Sequence, residues 1–150
     1  MNYDILKLDN QLCFSLYAAS REITKLYKPF LDKIGLTYTQ YISLLVLWES
    51  DNITVKELGN RLRLDSGTLT PLLKKLESMN ILERLRDKKD ERNVYIKLTD
   101  KGHNLKDEAL DIPSKVFCSS GLSKDESLYL RVHLQKLLDV LDKTNEQYKK

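Results

Sequence analysis

The stretch TVKELGNRLRLDSGTLTPLLKKLESMNILERLRDKKDERNVYIKL (Thr54–Leu98) decides the fold of this 150-residue chain. Thr54 followed three residues on by Glu57 is the Ser/Thr-x-x-Glu pattern, in which each side chain satisfies a backbone N–H left free at a helix start. Val55, Leu58 and Leu62 then fall on one face, and Arg61 to Leu64 closes the helix. Asp65 and Ser66 offer N-cap oxygens to a second short helix with the apolar stripe Leu69, Leu72, Leu73, Leu76 and Met79. Pro71 is tolerable there only near the first turn. Two short helices on a tight connection outline a helix-turn-helix. After Asn80 the period becomes alternating, with Val94, Ile96 and Leu98 on one side and Tyr95 and Lys97 on the other. Leu82 to Arg86 supplies a partner strand, and the charge-dense loop Asp87-Lys88-Lys89-Asp90-Glu91-Arg92 protrudes between them as the tip of a β-hairpin wing.

The flanks read as helices. Leu12, Leu16, Ala19, Ile23, Leu26 and Phe30 recur at helical steps, in a helix that either stops just before Pro29 or passes it with a kink. Asp32 to Thr37, with Gly35, is a turn, and Tyr41 to Trp48 is a buried helix carrying Ile42, Leu44, Leu45, Val46 and Leu47. Thr99 and Asp100 cap a helix bearing Leu105, Ala109, Leu110 and Ile112, which Pro113 interrupts. Ser123 with Glu126 opens a last helix with Leu130, Leu134, Leu137, Leu138 and Leu141. The expected class is mainly α with a small β-hairpin wing, in a single domain. Terminal helices occupy about 5–50 and 99–147, and the winged helix-turn-helix about 51–98. Helices this apolar at both ends are candidates for pairing with a second copy of the chain.

Composition narrows the function. Hydrophobic residues make up 41% and charged residues 31%, which suits one helix-rich globular domain. No apolar run approaches the ~20 residues of a membrane span. The N-terminus, with Asp4, Asp9 and Asn10, lacks a signal peptide's basic and apolar regions, so a cytoplasmic protein is expected. Cys13 and Cys118 cannot make a disulfide framework, and with His103 and His133 they form no metal-ligand cluster, so neither metal nor cofactor is expected. The net charge of +3 is uneven: Arg61 to Lys97 holds ten basic against six acidic residues, leaving −1 for the rest. Such an excess is either an ordinary solvated surface or the footprint of nucleic-acid binding.

Four segments carry a resemblance. Gln11-Leu12-Cys13-Phe14-Ser15-Leu16-Tyr17, Leu36-Thr37-Tyr38-Thr39-Gln40-Tyr41, the run from Leu64 to Glu77 and the wing Asp90-Glu91-Arg92 resemble the MarR family of bacterial transcription regulators, within it the organic-hydroperoxide sensors of the OhrR type. The likeness runs from near the start to the end of the wing; beyond it only helices of the right length match. It implies a homodimer joined by its terminal helices, with one winged helix-turn-helix per subunit. A two-fold dimer presents its recognition helices to major grooves about 34–36 Å apart, so the operator is expected to be an inverted repeat in double-stranded DNA. Ser66, Thr68 and Thr70 can reach base edges, and Asp65 either caps the helix or accepts from cytosine N4. Lys74, Lys75, Arg84, Arg86, Lys88 and Lys89 would bind phosphate or line the groove. Arg92 matches the wing-tip residue that similar proteins insert into the minor groove, and Asp90 can hold its guanidinium.

Cys13 has two readings. In Leu12-Cys13-Phe14 it is a small packed hydrophobe; reactivity would need donors or positive charge, and Lys7 and Arg21 lie a turn or two away. The resemblance implies that tyrosine hydroxyls surround the thiol: Tyr17 on the same helix face, and Tyr27 and Tyr38 from the partner subunit. Phenolic donors favour a thiolate, while Phe14 and Leu16 would welcome an organic peroxide. The resemblance further implies oxidation of Cys13 to sulfenic acid and condensation with a thiol. That thiol is Cys118, in a small-residue loop from Phe117 to Gly121 near where two-cysteine members carry a resolving cysteine, or a cellular small thiol. Two alternatives stay open: a MarR-like repressor released by a phenolic or aromatic ligand, with Cys13 merely packed, and a thiol peroxidase. The second lacks a positioned His base, a cofactor motif or a Gly-rich phosphate loop, so a regulator and not an enzyme is expected.

Overall fold

Thr54 and Glu57 cap one another in the computed structural model, which describes residues 3–90 and 92–148. Thr54 Oγ1 accepts from the Glu57 N–H at 3.1 Å, and the Glu57 carboxylate accepts from the Thr54 N–H at 2.7 Å. Among the described residues the chain runs α1 (Leu12–Lys25), α2 (Lys28–Leu31), α3 (Tyr38–Glu49), β1 (Ile53–Thr54), α4 (Val55–Leu62), α5 (Ser66–Ser78), β2 (Leu82–Arg86), β3 (Val94–Leu98), α6 (Asp100–Ala109), α7 (Ile112–Ser120) and α8 (Lys124–Tyr148). Glu91 of the predicted wing tip lies outside the described residues.

The helix-turn-helix is built around one close approach. Arg63, in the left-handed region at φ 56°, ends α4 and turns the chain towards Asp65, the N-cap of α5. A Cβ on Gly59 would stand 2.8 Å from Leu69 Cδ1 and 3.0 Å from the Leu64 carbonyl oxygen, so α4 and α5 meet at a position without a side chain. Leu58, Leu69, Leu73 and Leu76 fill the interior with Leu44 and Leu47 of α3, and Leu82, Ile96 and Leu98 close it from the sheet side. The sheet is antiparallel in the order β1-β3-β2, with Ile53 opposite Ile96 and Leu82 opposite Leu98.

The structure departs from the sequence reading in five places. Pro71 sits at the sixth residue of α5, beyond the first turn; its missing N–H costs one helical bond, and the buried Leu69, Leu73 and Leu76 hold the helix regardless. Pro29 stands in the first turn of α2, after α1 has ended at Lys25, so it begins a helix where a stop or a kink was expected. α3 starts at Tyr38, before Tyr41, because Thr37 and Gln40 make a capping box of their own. α6 ends at Ala109, which leaves Leu110 exposed off its stripe and puts Ile112 at the head of α7. Cys118 belongs to helix α7 and not to a loop. The turn comes at Gly121, φ 72°, beside Ser120, whose hydroxyl donates to the Phe117 carbonyl at 2.7 Å.

The chain groups into two compact units, Met1–Pro113 and Ser114–Lys150. In the first, α1 has no buried residue, and Leu12, Phe14, Tyr17 and Ile23 are exposed. In the second, Leu128, Leu130, Leu134 and Leu141 of α8 are exposed. Apolar helix faces left bare on a single chain mark association surfaces.

Candidate DNA interface and thiol site

At the head of α5, Ser66, Gly67 and Thr68 are exposed. Asp65 Oδ1 accepts from the Thr68 N–H at 2.8 Å, and hydrogen bonds, that one foremost, lower its carboxyl from the ordinary value. Of the two roles open to Asp65, the geometry displays the cap. The Thr70 hydroxyl donates to the Ser66 carbonyl at 2.8 Å, which leaves its methyl and a lone pair free to meet a base edge. Lys74 and Lys75 follow, both exposed.

The wing is organised by its own carboxylates. Asp87 accepts from the Lys89 N–H at 2.8 Å, and its own N–H donates to the Asn93 carbonyl at 2.9 Å. Asp90 takes the Arg92 guanidinium at 2.9 Å through Nε and 3.1 Å through Nη2, and also accepts from the Arg92 N–H. Each partner stabilises the other's charge, lowering the Asp90 carboxyl and raising the Arg92 guanidinium. Arg92 remains 89% exposed, so its head is aimed but not covered. Arg86, Lys88 and Lys89 are exposed on the same hairpin, whereas Arg84 turns back onto Glu77 of α5.

A groove of about 460 Å³ separates the recognition helix from the wing, with Ser66 and Thr70 on one wall and Arg84 and Arg92 on the other. Its remaining polar lining includes Lys56, Asn60 and Asn93, which the sequence reading passed over. Their signal was available: Val55, Leu58 and Leu62 define the inner face of α4, so Lys56 and Asn60 must lie off it.

Cys13 is the second residue of α1 and is exposed. One turn on, Arg21 Nη1 donates to the Tyr17 hydroxyl at 2.8 Å and lies 5.4 Å from that ring's centroid. Tyr27 and Tyr38 meet edge to face at 4.9 Å, and Tyr41 stands 5.8 Å from Tyr27. Burial raises the pKa of both Tyr27 and Tyr38, and pushes Tyr41 up to about 12, so all three are neutral hydroxyl groups near neutral pH. The structure therefore brings Tyr27 to Tyr38 and Tyr17 to Arg21. Cys118 is exposed on α7, and both cysteines are free thiols.

The family model of the transcriptional regulators SarA/Rot matches residues 25–109. The organic hydroperoxide resistance transcriptional regulator of Bacillus subtilis is 50% identical over 143 residues, covering 95% of this chain and 97% of its own. The chain belongs to the SarA/Rot group of MarR-family transcriptional regulators. Among solved structures, this MarR-family chain is similar to AbfR of Staphylococcus epidermidis. Against reduced AbfR bound to DNA the TM-score is 0.74 at 39% identity, covering 91% and 94% of the two chains. Against disulfide-formed AbfR it is 0.63 at 38%, covering 89% and 93%. A mutant MarR of E. coli complexed with operator DNA gives 0.73 at 26%, covering 85% and 93%. The class is that of redox-sensing, DNA-binding regulators, not enzymes, and MarR-family regulators are dimers. Among the described residues no helix is long and apolar enough to cross a membrane.

Proposed function

We propose that this protein is a repressor whose reduced homodimer holds an inverted-repeat operator and releases it when an organic hydroperoxide oxidises Cys13. The observation that carries the reading is the placement of Cys13: an exposed thiol at the start of α1, one turn ahead of an Arg21-bound Tyr17, in a chain that also carries a winged helix-turn-helix. Ser66, Thr68 and Thr70 read base edges from the head of α5, with Asp65 capping it. Lys74, Lys75, Arg86, Lys88 and Lys89 neutralise phosphates, and Arg92, held by Asp90, enters the minor groove.

In the chemical step the Cys13 thiolate attacks the distal peroxide oxygen and the O–O bond breaks. The departing alkoxide takes a proton to become an alcohol, and Cys13 becomes a sulfenic acid. A second thiol then displaces water from the sulfenic sulfur to form a disulfide. The partner subunit's Cys118 is the first candidate for that thiol, and a cellular small thiol the second. Tyr17, with Tyr27 and Tyr38 of the opposite subunit, donates hydrogen bonds to the thiolate. An intersubunit bond requires Cα atoms within about 7 Å, so forming it shifts helices and spoils the spacing of the two recognition helices.

The test is anisotropy binding of reduced protein to an inverted-repeat DNA from its own promoter region, with and without stoichiometric organic hydroperoxide, for wild type and Cys13→Ser. Loss of binding in oxidised wild type alone is the expected result; equal binding in all four samples overturns the redox reading.

One observation favours a second reading, release by an aromatic ligand. A cleft of about 320 Å³ lies among Thr24, Lys25, Lys28, Leu31, Asp32, Leu36 and Tyr38, with an apolar wall for an aromatic ring; Lys28 is paired there with Asp32 at 2.8 Å and Lys25 with Glu22 at 2.6 Å. DNA release by such a ligand, but not by peroxide, would favour it.

A further inference from the structure

Arg84 is one of six basic residues that the sequence offers to DNA phosphate, yet its head group is already engaged. Nε and Nη2 donate to Glu77 Oε2 at 3.0 and 2.6 Å, and the Arg84 backbone N–H donates to the other carboxylate oxygen at 3.3 Å. Glu77 lies in the last turn of the recognition helix α5, and Arg84 is the central residue of β2, paired with Ile96 of β3. These contacts tie the middle of the wing's first strand to the C-terminal turn of the helix that reads DNA. The Arg84 side chain is 27% exposed, whereas that of Arg92 at the wing tip is 89% exposed. The Arg84 bonds lower the Glu77 carboxyl from its ordinary value, so it stays charged through the neutral range.

We propose that Glu77 and Arg84 are positioning residues that fix the angle between recognition helix and wing, so that Arg92 reaches the minor groove while α5 occupies the major groove. The 460 Å³ groove is lined by α5 and the hairpin, with α4 contributing Lys56, Gly59 and Asn60, and this clamp joins α5 to the hairpin. A phosphate contact and a clamp predict opposite signs at Glu77. If the region acts only as a charge surface, removing an acidic group beside a polyanion tightens binding. If Glu77 holds the wing, removing it weakens binding despite the gain in positive charge.

The first measurement rests on the operator-binding reading above; the second does not. Operator affinity of the reduced protein is measured across a salt series for wild type, Glu77→Gln, Arg84→Met, the exchanged pair Glu77→Arg with Arg84→Glu, and each of these combined with Arg92→Ala. Glu77→Gln and Arg84→Met are each expected to weaken binding by about tenfold, the scale of one lost charge-assisted hydrogen bond. The salt slope should be unchanged, because no phosphate contact is lost, and the exchanged pair should recover most of the affinity. In the Arg92→Ala background the penalty should shrink towards none, a coupling that a general loss of stability would not produce. Tighter binding by Glu77→Gln, or an Arg84→Met slope reduced by about one, overturns the proposal.

The second measurement is trypsin cleavage of the free protein at Lys88, Lys89 and Arg92, beside a thermal melt of each variant. Several-fold faster cutting in Glu77→Gln, at a temperature where the melt shows it folded, is expected; wild-type cutting rates overturn the clamp. Wild type that fails to bind the operator refutes the operator reading alone, and the cleavage rates still decide the clamp.

Discussion

The indole N–H of Trp48 donates to the carbonyl oxygen of Gly102 at 2.9 Å, joining the end of α3 to the first turn of α6. On its other side Gly102 packs against the backbone ahead of β2, where a Cβ would stand 2.1 Å from the Ile81 carbonyl oxygen. That oxygen is itself fixed by the Thr99 N–H at 3.1 Å, and the Thr99 hydroxyl donates to the adjacent Asn80 carbonyl at 2.7 Å, so the Ile81 oxygen cannot retreat without disturbing the residue that caps α6. Alanine in a helix is worth about 1 kcal/mol over glycine, but a backbone collision outweighs it. Gly102→Ala is expected to lose about 3 kcal/mol, read as a lower urea midpoint by the fluorescence of the chain's one tryptophan. A wild-type midpoint would sink this account of the junction.

Tyr41 gives the stability a defined alkaline limb. In the unfolded chain its phenol ionises near pH ~10. In the folded protein desolvation by burial, then charge on Tyr27 and Tyr38, pushes it up to about 12. Between those values the unfolded state has released a proton that the folded state retains, so stability is complete below about pH 10 and falls towards about 12. The loss expected is about 2 kcal/mol. Urea midpoints at pH 8 and 11 should diverge in wild type and diverge less in Tyr41→Phe; equal divergence in both would place the alkaline limb elsewhere.

Arg92 and Asp90 should separate in their effects on DNA. Arg92→Ala removes a contact that depends on groove width, so its penalty is expected to be about ten- to hundredfold on an operator with A·T-rich flanks and smaller with G·C flanks. Asp90→Asn leaves the charge but frees the guanidinium, so a smaller loss is expected, with the flank preference reduced. Anisotropy titrations against both DNAs check this, and Arg92→Ala binding each as wild type does would remove the wing tip from the interface.

Much of the fold was legible because its signals are local. The Thr54/Glu57 and Ser123/Glu126 boxes and the Asp65 cap declared helix starts, and the alternation Val94, Ile96, Leu98 declared a strand. The failures had separate causes. Pro71 survives in the second turn of α5 because buried leucines hold the helix, and β1 is two residues long, so no period could announce it. The Thr37/Gln40 box was present in the sequence and overlooked in favour of the apolar run beyond it. In the candidate site, residue types pointed to the basic wing. They could not reveal that Arg84 is claimed by Glu77, because charge counts carry no information about partners.

The position of Cys118 makes the resolving step testable by gel. A thiol in a loop could swing to its partner; on α7, two residues from the helix end, it moves only with the helix or by fraying the last turn. If Cys118 resolves oxidised Cys13 across the dimer, peroxide-treated wild type runs as a covalent dimer on a non-reducing gel, and both Cys13→Ser and Cys118→Ser run as monomers. Loosening the end of α7 with Gly121→Ala should then speed dimer formation while leaving sulfenic acid formation unchanged, because Gly121, at φ 72°, ends the helix in a conformation that alanine adopts only with strain, and a strained last turn frays more readily. Covalent dimers that persist in Cys118→Ser would remove Cys118 from the mechanism. Monomers carrying the mass of an added small thiol on Cys13 would instead assign resolution to that thiol, and DNA release would then have to follow from one modified subunit rather than from a bond that drags two together.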